Sequence, residues 1–118
     1  MARRTRPVGA PIFELKAELF RAMAHPARIR ALEVLVDGEH SVGEIASEIG
    51  LEASHLSQQL GVLRRAGLVA TRRQASTVYY SIRDPLIVEL LSVARRFLIA
   101  SLSETQELLA HLESLEAS

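Results

Sequence analysis

A mainly helical fold with one small β-hairpin is predicted by three features of this 118-residue chain. Apolar residues recur at helical spacing in the first third of the chain and again after residue 85. Between these stretches, a glycine separates two short segments that also have helical spacing. Residues 68–82 then change to a composition rich in Val, Thr and Tyr, which favours strands.

Length and composition predict one domain in a soluble, cytoplasmic protein. Apolar residues make up 48% of the chain, but so short a chain buries a modest share of its surface, and pairing with a second copy would add to it. Cysteine is absent, which excludes disulfides, thiolate metal sites and cysteine nucleophiles. We find neither a signal peptide nor an apolar run of the roughly 18 residues that a membrane span needs.

Charge is unevenly distributed, although the net charge is zero. Residues 84–118 contain six acidic residues and two arginines. Residues 54–83 contain no acidic residue and five arginines, namely Arg64, Arg65, Arg72, Arg73 and Arg83. Because phosphate contacts act over about a Debye length, such a local surface matters more than the total charge. A solvated charged face is the alternative interpretation of the same pattern.

The chain is predicted to begin with an arm and continue as one domain. Residues 1–11, with three arginines, two prolines and one glycine, are expected to form a flexible basic arm, and residues 12–118 a single domain. The first helix of this domain is expected over residues 12–24. Pro26 suits the first turn of a second helix.

Residues 41–67 are predicted to form a helix-turn-helix. Ser41 and Glu44 have the spacing of a capping box at a helix start, and Gly50 ends that helix. The second helix of the helix-turn-helix follows over about residues 53–66, with Leu56, Leu60 and Leu63 facing inward. The glycine-containing turn between two short helices is typical of this unit.

A hairpin and a long helix complete the predicted domain. Residues 68–82 are expected to form a hairpin whose turn type stays open, because its polar tip lacks Asn-Gly or Asp-Gly. Asp84 and Pro85 then form a cap and a first helical residue for a helix over 84–115. Ser103 offers a second cap, which leaves a bend or restart open.

The outer face of the second helix in this unit is polar, as a helix in the DNA major groove requires. Glutamine can bond two atoms of adenine, and serine and histidine can reach base edges or phosphates. The candidate contacts on this helix are Ser54, His55, Ser57, Gln58 and Gln59, followed by Arg64 and Arg65 for phosphates. The hairpin adds Arg72, Arg73 and Gln74 along the DNA backbone or minor groove. Within residues 41–82, this combination predicts double-stranded DNA as the partner.

Several stretches in one register resemble the ArsR/SmtB family of bacterial repressors. They are FRAMAHPARIRAL at 20–32, SVGEIA at 41–46, LSQQL at 56–60, VLRRAGLV at 62–69 and VYYSI at 78–82. The resemblance covers about residues 12–100. It implies a winged helix-turn-helix homodimer that binds an imperfect palindromic operator, usually as a repressor.

The resemblance also assigns roles to residues. It implies recognition by Ser54, His55, Ser57 and Gln58, and wing contacts by Arg73 and Gln74. It implies a dimer held by the first and last helices, with a seam predicted at Leu15, Leu19, Leu86, Leu90, Val93, Phe97 and Leu98. The apolar residues of the last helix are also compatible with a ligand cleft between protomers. Glu52 departs from the family pattern, where a capping Ser or Thr is common. Its carboxylate still favours the helix N-terminus, but near DNA it would repel phosphate.

Neither usual metal site of the family has its ligands in this chain. One site needs cysteines where Val42, Gly43 and Glu44 stand. The other needs an Asp-x-His pair and later ligands on the last helix, where Phe97 and Ala100 stand instead. We expect no metal and no cofactor, and an unidentified small-molecule effector stays open.

Two other functions compete with DNA binding. A winged-helix module that binds protein is the first, but such a module has no need to exclude acidic residues from 54–83. An enzyme is the second, but the sequence contains no nucleophile–base pair and no phosphate-cradling glycine loop. We therefore expect that the chain is not an enzyme.

Overall fold

A computed structural model describes residues 10–117, and the chain divides after Asp84 into two compact units. The first unit contains α1 (Ala10–Met23), α2 (Pro26–Leu35), β1 (His40–Ser41), α3 (Val42–Ile49), α4 (Ala53–Arg65), β2 (Val69–Gln74) and β3 (Thr77–Ile82). The second unit contains α5 (Pro85–Ala117). Helix α1 begins two residues before the predicted start, and the rest of the predicted basic arm lies outside the described residues.

The predicted fold class is confirmed, with one strand added. Strands β2 and β3 form the expected antiparallel hairpin, in which Val69 is the partner of Ile82 and Gln74 that of Thr77. Strand β1 pairs with the other edge of β3, so the order in the sheet is β1-β3-β2. The sequence analysis missed β1, because a two-residue strand is too short to show a period of two.

The core of the first unit lies where α2, α3 and α4 pack together and meet the sheet. The predicted inward residues of α4 are confirmed, since Leu56, Leu60 and Leu63 are completely buried. Leu32 of α2 and Ile45 of α3 are equally buried. Burial of such side chains stabilises the fold by about 1.5–3 kcal/mol each. This packing fixes the orientation of α4, and with it the direction of its outer face.

The turn between α3 and α4 forms as the sequence predicted. The Ser41 hydroxyl accepts a hydrogen bond from the Glu44 backbone N–H at 3.2 Å, and the Glu44 carboxylate accepts one from the Ser41 N–H at 2.8 Å. These bonds lower the pKa of Glu44. Gly50 ends α3 with a left-handed φ of 69°, a conformation that costs a residue with a β-carbon about 1–2 kcal/mol.

The hairpin turn has two central residues, Ala75 and Ser76. Among the described residues, Ala75 is the one non-glycine residue with a positive φ, which is 55°. A positive φ at the first central position alone is typical of a type II′ turn, where glycine is the usual residue. The turn type that the sequence left open is therefore of this kind, with alanine in the glycine position.

Replacing Ala75 with glycine is expected to raise the free energy of unfolding by about 0.5–1 kcal/mol. Glycine removes about 1–2 kcal/mol of backbone strain from the folded state. Part of this gain is lost, because glycine also increases the conformational entropy of the unfolded chain. Chemical denaturation of the two proteins measures the difference. The matched control is Ala70→Gly in β2, which relieves no strain and is expected to destabilise. A destabilised Ala75→Gly protein would contradict the strained turn.

Helix α5 is continuous from Pro85 to Ala117 and shows no restart at Ser103. Thr105, which follows closely, donates its hydroxyl hydrogen bond to the carbonyl oxygen of Ser101 at 3.0 Å, within the helix itself. Side chains of this type can satisfy helix carbonyls without ending the helix. None of the helices in the described part of the chain has the length and apolarity that a membrane crossing requires.

Candidate nucleic-acid interface

Helix α4 has one buried side and one polar, exposed side. Of the predicted contact residues, Ser54, His55, Ser57 and Gln58 are exposed, and Gln59 is half-buried. Helical geometry places Ser54, Gln58 and Arg65 in one row opposite the buried leucines. The structure therefore brings most of the predicted readers to one solvent-facing surface.

The start of α4 is held differently from a usual helix start. Glu52 occupies the cap position, but its side chain caps no backbone N–H. Instead, its carboxylate accepts a hydrogen bond from the Ser54 hydroxyl at 2.7 Å. The Ser54 hydroxyl therefore donates its hydrogen to Glu52 and can act only as an acceptor toward a further partner.

Gln59 is held by the protein itself. Its side-chain oxygen accepts a hydrogen bond from Arg28 Nη1 at 2.8 Å, and its Nε2 lies 3.4 Å from His55 Nε2. The sequence analysis missed Arg28, which lies 31 residues before its partner. No local spacing signal connects residues that far apart, so only the packing of α2 against α4 reveals the contact.

Three of the predicted phosphate-binding arginines are exposed and uncompensated. The side chains of Arg64, Arg65 and Arg73 form no hydrogen bond or ion pair within residues 10–117. Gly61 leaves room for one of them, since a β-carbon there would lie 3.2 Å from Arg65 Nη1. These three guanidinium groups keep their full donor capacity for an anionic partner.

Arg72, the fourth predicted phosphate contact on this surface, is paired with a carboxylate. Its Nε and Nη2 donate to the two oxygens of Glu39 at 2.8 and 2.7 Å, and Nη1 donates to the Gln74 side chain at 3.0 Å. The guanidinium carbon also lies 4.7 Å from the centre of the Tyr79 ring, a cation–π distance. A phosphate contact by Arg72 would therefore have to compete with Glu39.

The hydrogen bonds from Arg72 lower the pKa of the Glu39 carboxyl, and the same pair raises the pKa of Arg72. A carboxyl with a lowered pKa stays ionised as the pH falls through the ordinary glutamate range. The ion pair is therefore present at neutral pH and is lost only when the pH falls below this lowered pKa.

Replacing Glu39 with glutamine is expected to increase affinity for all DNA duplexes and to steepen its dependence on salt. Glutamine can still accept one bond from Arg72, but the neutralising charge is gone, so about one more phosphate contact forms and the log–log salt slope grows by about 0.9. Fluorescence anisotropy titrations across a salt series measure this slope. Glu48→Gln removes the same charge from an exposed site on α3 and should leave the slope unchanged. Equal slopes for Glu39→Gln and the wild type would show that Arg72 stays unavailable to phosphate.

Metal ligands do not cluster in the described region. Between residues 10 and 117, no group of three or more His, Cys, Asp or Glu side chains is arranged to hold a metal ion. Val42 and Gly43 begin α3, and Phe97 and Ala100 lie within α5, where they provide no ligating atoms.

The predicted dimer seam is largely exposed. On α1, Leu15 is 63% exposed and Leu19 is half-buried. On α5, Phe97 is 68% exposed and Leu90 is half-buried. The other predicted seam residues of α5, which are Leu86, Val93 and Leu98, are also exposed. Further exposed leucines continue the apolar surface of α5 to Leu115.

Two short helices joined at a left-handed glycine, followed by a hairpin wing, define a winged helix-turn-helix protein. Residues 25–71 match the family model described as bacterial regulatory protein, arsR family. The chain is 56% identical over 108 residues to the uncharacterised HTH-type transcriptional regulator Rv0081 of Mycobacterium tuberculosis. The aligned region covers 91% of this chain and 92% of that relative. The chain therefore belongs to the arsR family of bacterial regulatory proteins.

Solved structures agree with this assignment. The crystal structure of Rv0081 has a TM-score of 0.73 and 59% identity, covering 80% of this chain and 95% of that one. The transcriptional repressor BigR from Xylella fastidiosa has a TM-score of 0.70 and 35% identity, covering 80% and 96%. A homodimeric winged helix-turn-helix DNA-binding domain, Mb0332 from Mycobacterium bovis, has a TM-score of 0.76 and 27% identity, covering 88% and 95%.

Proposed function

We propose that this chain is a sequence-specific DNA-binding transcriptional regulator that represses its targets by binding a palindromic operator as a homodimer. One observation carries the proposal: the exposed polar face of α4 is flanked by arginines that have no partner in the described residues. The similarity to BigR, a transcriptional repressor, and to Mb0332, a DNA-binding domain, supports it.

Helix α4 is the recognition helix in this proposal. An α-helix fits the major groove of B-DNA, where base edges show distinct donor and acceptor patterns. Gln58 lies in the middle of the exposed face and, with Ser54, His55 and Ser57, is close enough to the helix start to reach bases. Arg64 and Arg65 at the end of α4 then contact phosphates, which set affinity rather than sequence.

The hairpin contributes a phosphate contact through Arg73 in this proposal. Replacing Arg73 with alanine is expected to weaken binding to all duplexes and to lower the salt slope by about one unit. Titrations of a specific and an unrelated duplex across a salt series measure both effects. Thr71→Ala, in the same strand, removes no charge and serves as the control. An unaltered slope would place the wing away from phosphate.

The homodimer is proposed from the exposed apolar side chains of α1 and α5. Exposed leucines and phenylalanines at this density mark interaction surfaces. The M. bovis neighbour, described as homodimeric, supports a second copy as the partner. A two-fold dimer presents two recognition helices related by symmetry, so its operator has matching half-sites.

The regulatory signal is proposed not to be a metal at the usual family sites. Val42, Gly43, Phe97 and Ala100 stand where ligands would be needed, and their side chains offer no donor atom. The candidate signals are then a small-molecule effector held by the apolar surface of α5, a protein partner, and the level of the protein itself. Because its target is DNA, we place the protein in the cytoplasm, and we propose no cofactor and no catalysis.

Nuclease footprinting of the DNA that flanks the chain's own coding region tests the proposal. We expect one protected region with two half-sites whose centres are about one helical turn of 10–10.5 base pairs, or a multiple of it, apart. The variant Gln58→Ala, which changes a proposed reader, should weaken the protection. Uniform protection of the whole duplex would contradict sequence-specific binding.

A further inference from the structure

Three side chains form a hydrogen-bonded chain that ends on the proposed recognition helix. Arg28 of α2 donates from Nη1 to the side-chain oxygen of Gln59 at 2.8 Å. Gln59 Nε2 in turn lies 3.4 Å from His55 Nε2, one helical turn earlier on α4. Arg28 and Gln59 are half-buried and His55 is exposed, so the series of hydrogen bonds leads from the protein interior to the surface proposed to face DNA.

The chemistry of arginine determines every donor and acceptor in this series of three hydrogen-bonded side chains. A guanidinium group has five N–H donors and no acceptor, so the atom of Gln59 that faces Arg28 must be its oxygen. The amide nitrogen of Gln59 therefore faces His55 and donates. His55 Nε2 has to accept, which requires that it carry no proton. In the neutral ring the proton then resides on Nδ1.

Arg28 is well held for this role. Its Nε donates to the carbonyl oxygen of Ala22 at 2.6 Å, and its Nη2 donates to that of Arg21 at 3.3 Å. Both carbonyls lie in the last turn of α1, where helix carbonyls lack i+4 partners within the helix, and that of Arg21 also accepts a bond from the Ala24 N–H at 3.2 Å. The planar guanidinium is thus anchored to α1 while its remaining edge points to Gln59.

We propose that Arg28 is a positioning residue that, acting through Gln59, makes His55 present an Nδ1–H donor to DNA. The inference rests on the proposed DNA-binding function. Gln59 acts here as the link between Arg28 and His55, rather than as a base reader. His55 then selects an acceptor atom, such as the N7 or O6 of guanine or the O4 of thymine, or a phosphate oxygen. It disfavours the amino donor of cytosine.

The first test measures the proton position in the free, full-length protein. Long-range proton–nitrogen NMR correlations at about pH 8, where an ordinary histidine is neutral, distinguish the two ring tautomers. The His55 signals are assigned by their loss in His55→Asn. We expect a protonated Nδ1 and a bare Nε2. Gln59→Glu keeps an acceptor for Arg28 but replaces the amide donor, so the His55 proton should move to Nε2. A proton on Nε2 in the wild type, or the same tautomer in both proteins, would overturn the inference.

The second test measures specificity by selection from a pool of random duplexes. Gln59→Met removes the donor without changing charge, and we expect it to lower discrimination at one base position about tenfold. Arg28→Leu should lower the same preference, whereas Arg30→Leu, at an exposed arginine of the same helix, should not. Equal loss on all duplexes with Gln59→Met would identify phosphate as the acceptor.

The two hypotheses fail in different ways. If the wild-type protein enriches no sequence, the proposed function is rejected and the inference about His55 falls with it. If the wild type enriches a sequence and Gln59→Met changes neither its affinity nor its base preferences, only the inference is rejected. Should Arg28→Leu fail to fold, Gln59→Met and Gln59→Glu still decide the matter, because both leave the Arg28 bonds to α1 in place.

Discussion

Replacing Phe97 with glutamate is expected to convert the protein from a dimer to a monomer. Phe97 is 68% exposed on α5, in the middle of the apolar stripe proposed as the dimer seam. A carboxylate buried there without a partner would cost several kcal/mol per site, and each dimer would contain two. Sedimentation velocity measures the change directly.

The monomer is also expected to lose operator affinity. Two linked recognition helices bind with an effective concentration that a single one lacks, so the loss should be about 100-fold or more. The control is Ser92→Glu, which adds the same charge to α5 on the side roughly opposite Phe97. A dimer that survives Phe97→Glu would place the seam elsewhere on the chain.

Replacing Gln58 with alanine is expected to cost about 1–3 kcal/mol of specific binding and to relax preference at one base step. Gln58 lies on the exposed face of α4, and its side chain, unlike that of Gln59, forms no hydrogen bond within the described residues. Its amide is therefore available for a bidentate contact to adenine. Competition titrations with duplexes that differ at single base pairs measure the effect.

A matched truncation distinguishes base reading from general damage. Gln106→Ala removes the same side chain from an exposed position on α5 and should change neither affinity nor base preference. If Gln58→Ala also leaves both unchanged, Gln58 does not belong to the reading surface. If it weakens all duplexes equally, its partner is a phosphate rather than a base.

Local signals were sufficient to predict much of the fold. Ser41 and Glu44 meet within one helical turn, so the capping box is legible from spacing alone, and the structure forms both of its bonds. Gly50 supplies the left-handed residue that ends α3. The buried leucines of α4 follow a simple helical period.

Contacts between residues far apart in the sequence were not predictable. Residues 54–83 contain no acidic side chain, and the sequence analysis assigned Arg72 to the DNA backbone or minor groove without identifying a protein partner for it. Glu39, which lies 33 residues before Arg72, neutralises that arginine across the sheet. Arg28 reaches Gln59 over 31 residues in the same way. In both cases the packing of elements, rather than local spacing, selects the partner.

These contacts sharpen the candidate site. The uncompensated positive charge on α4 and the wing belongs to Arg64, Arg65 and Arg73, while Arg72 is held by Glu39. The side chains available to contact base edges are those whose donors and acceptors have no partner in the described residues, above all Gln58. The predicted assignment of all these residues to DNA contact stays a prediction, now with a different expected role for Gln59 and for Arg72.

One measurement tests the central claim most directly. The full-length protein is titrated against the duplex that flanks its own coding region and against a base-shuffled duplex of the same length, at several salt concentrations. We expect the flanking duplex to bind at least about 1,000-fold more tightly, with an affinity that falls steeply as salt rises. Equal affinity for the two duplexes, or no salt-dependent binding to either, would contradict a sequence-specific regulator and would favour a winged-helix module that binds protein.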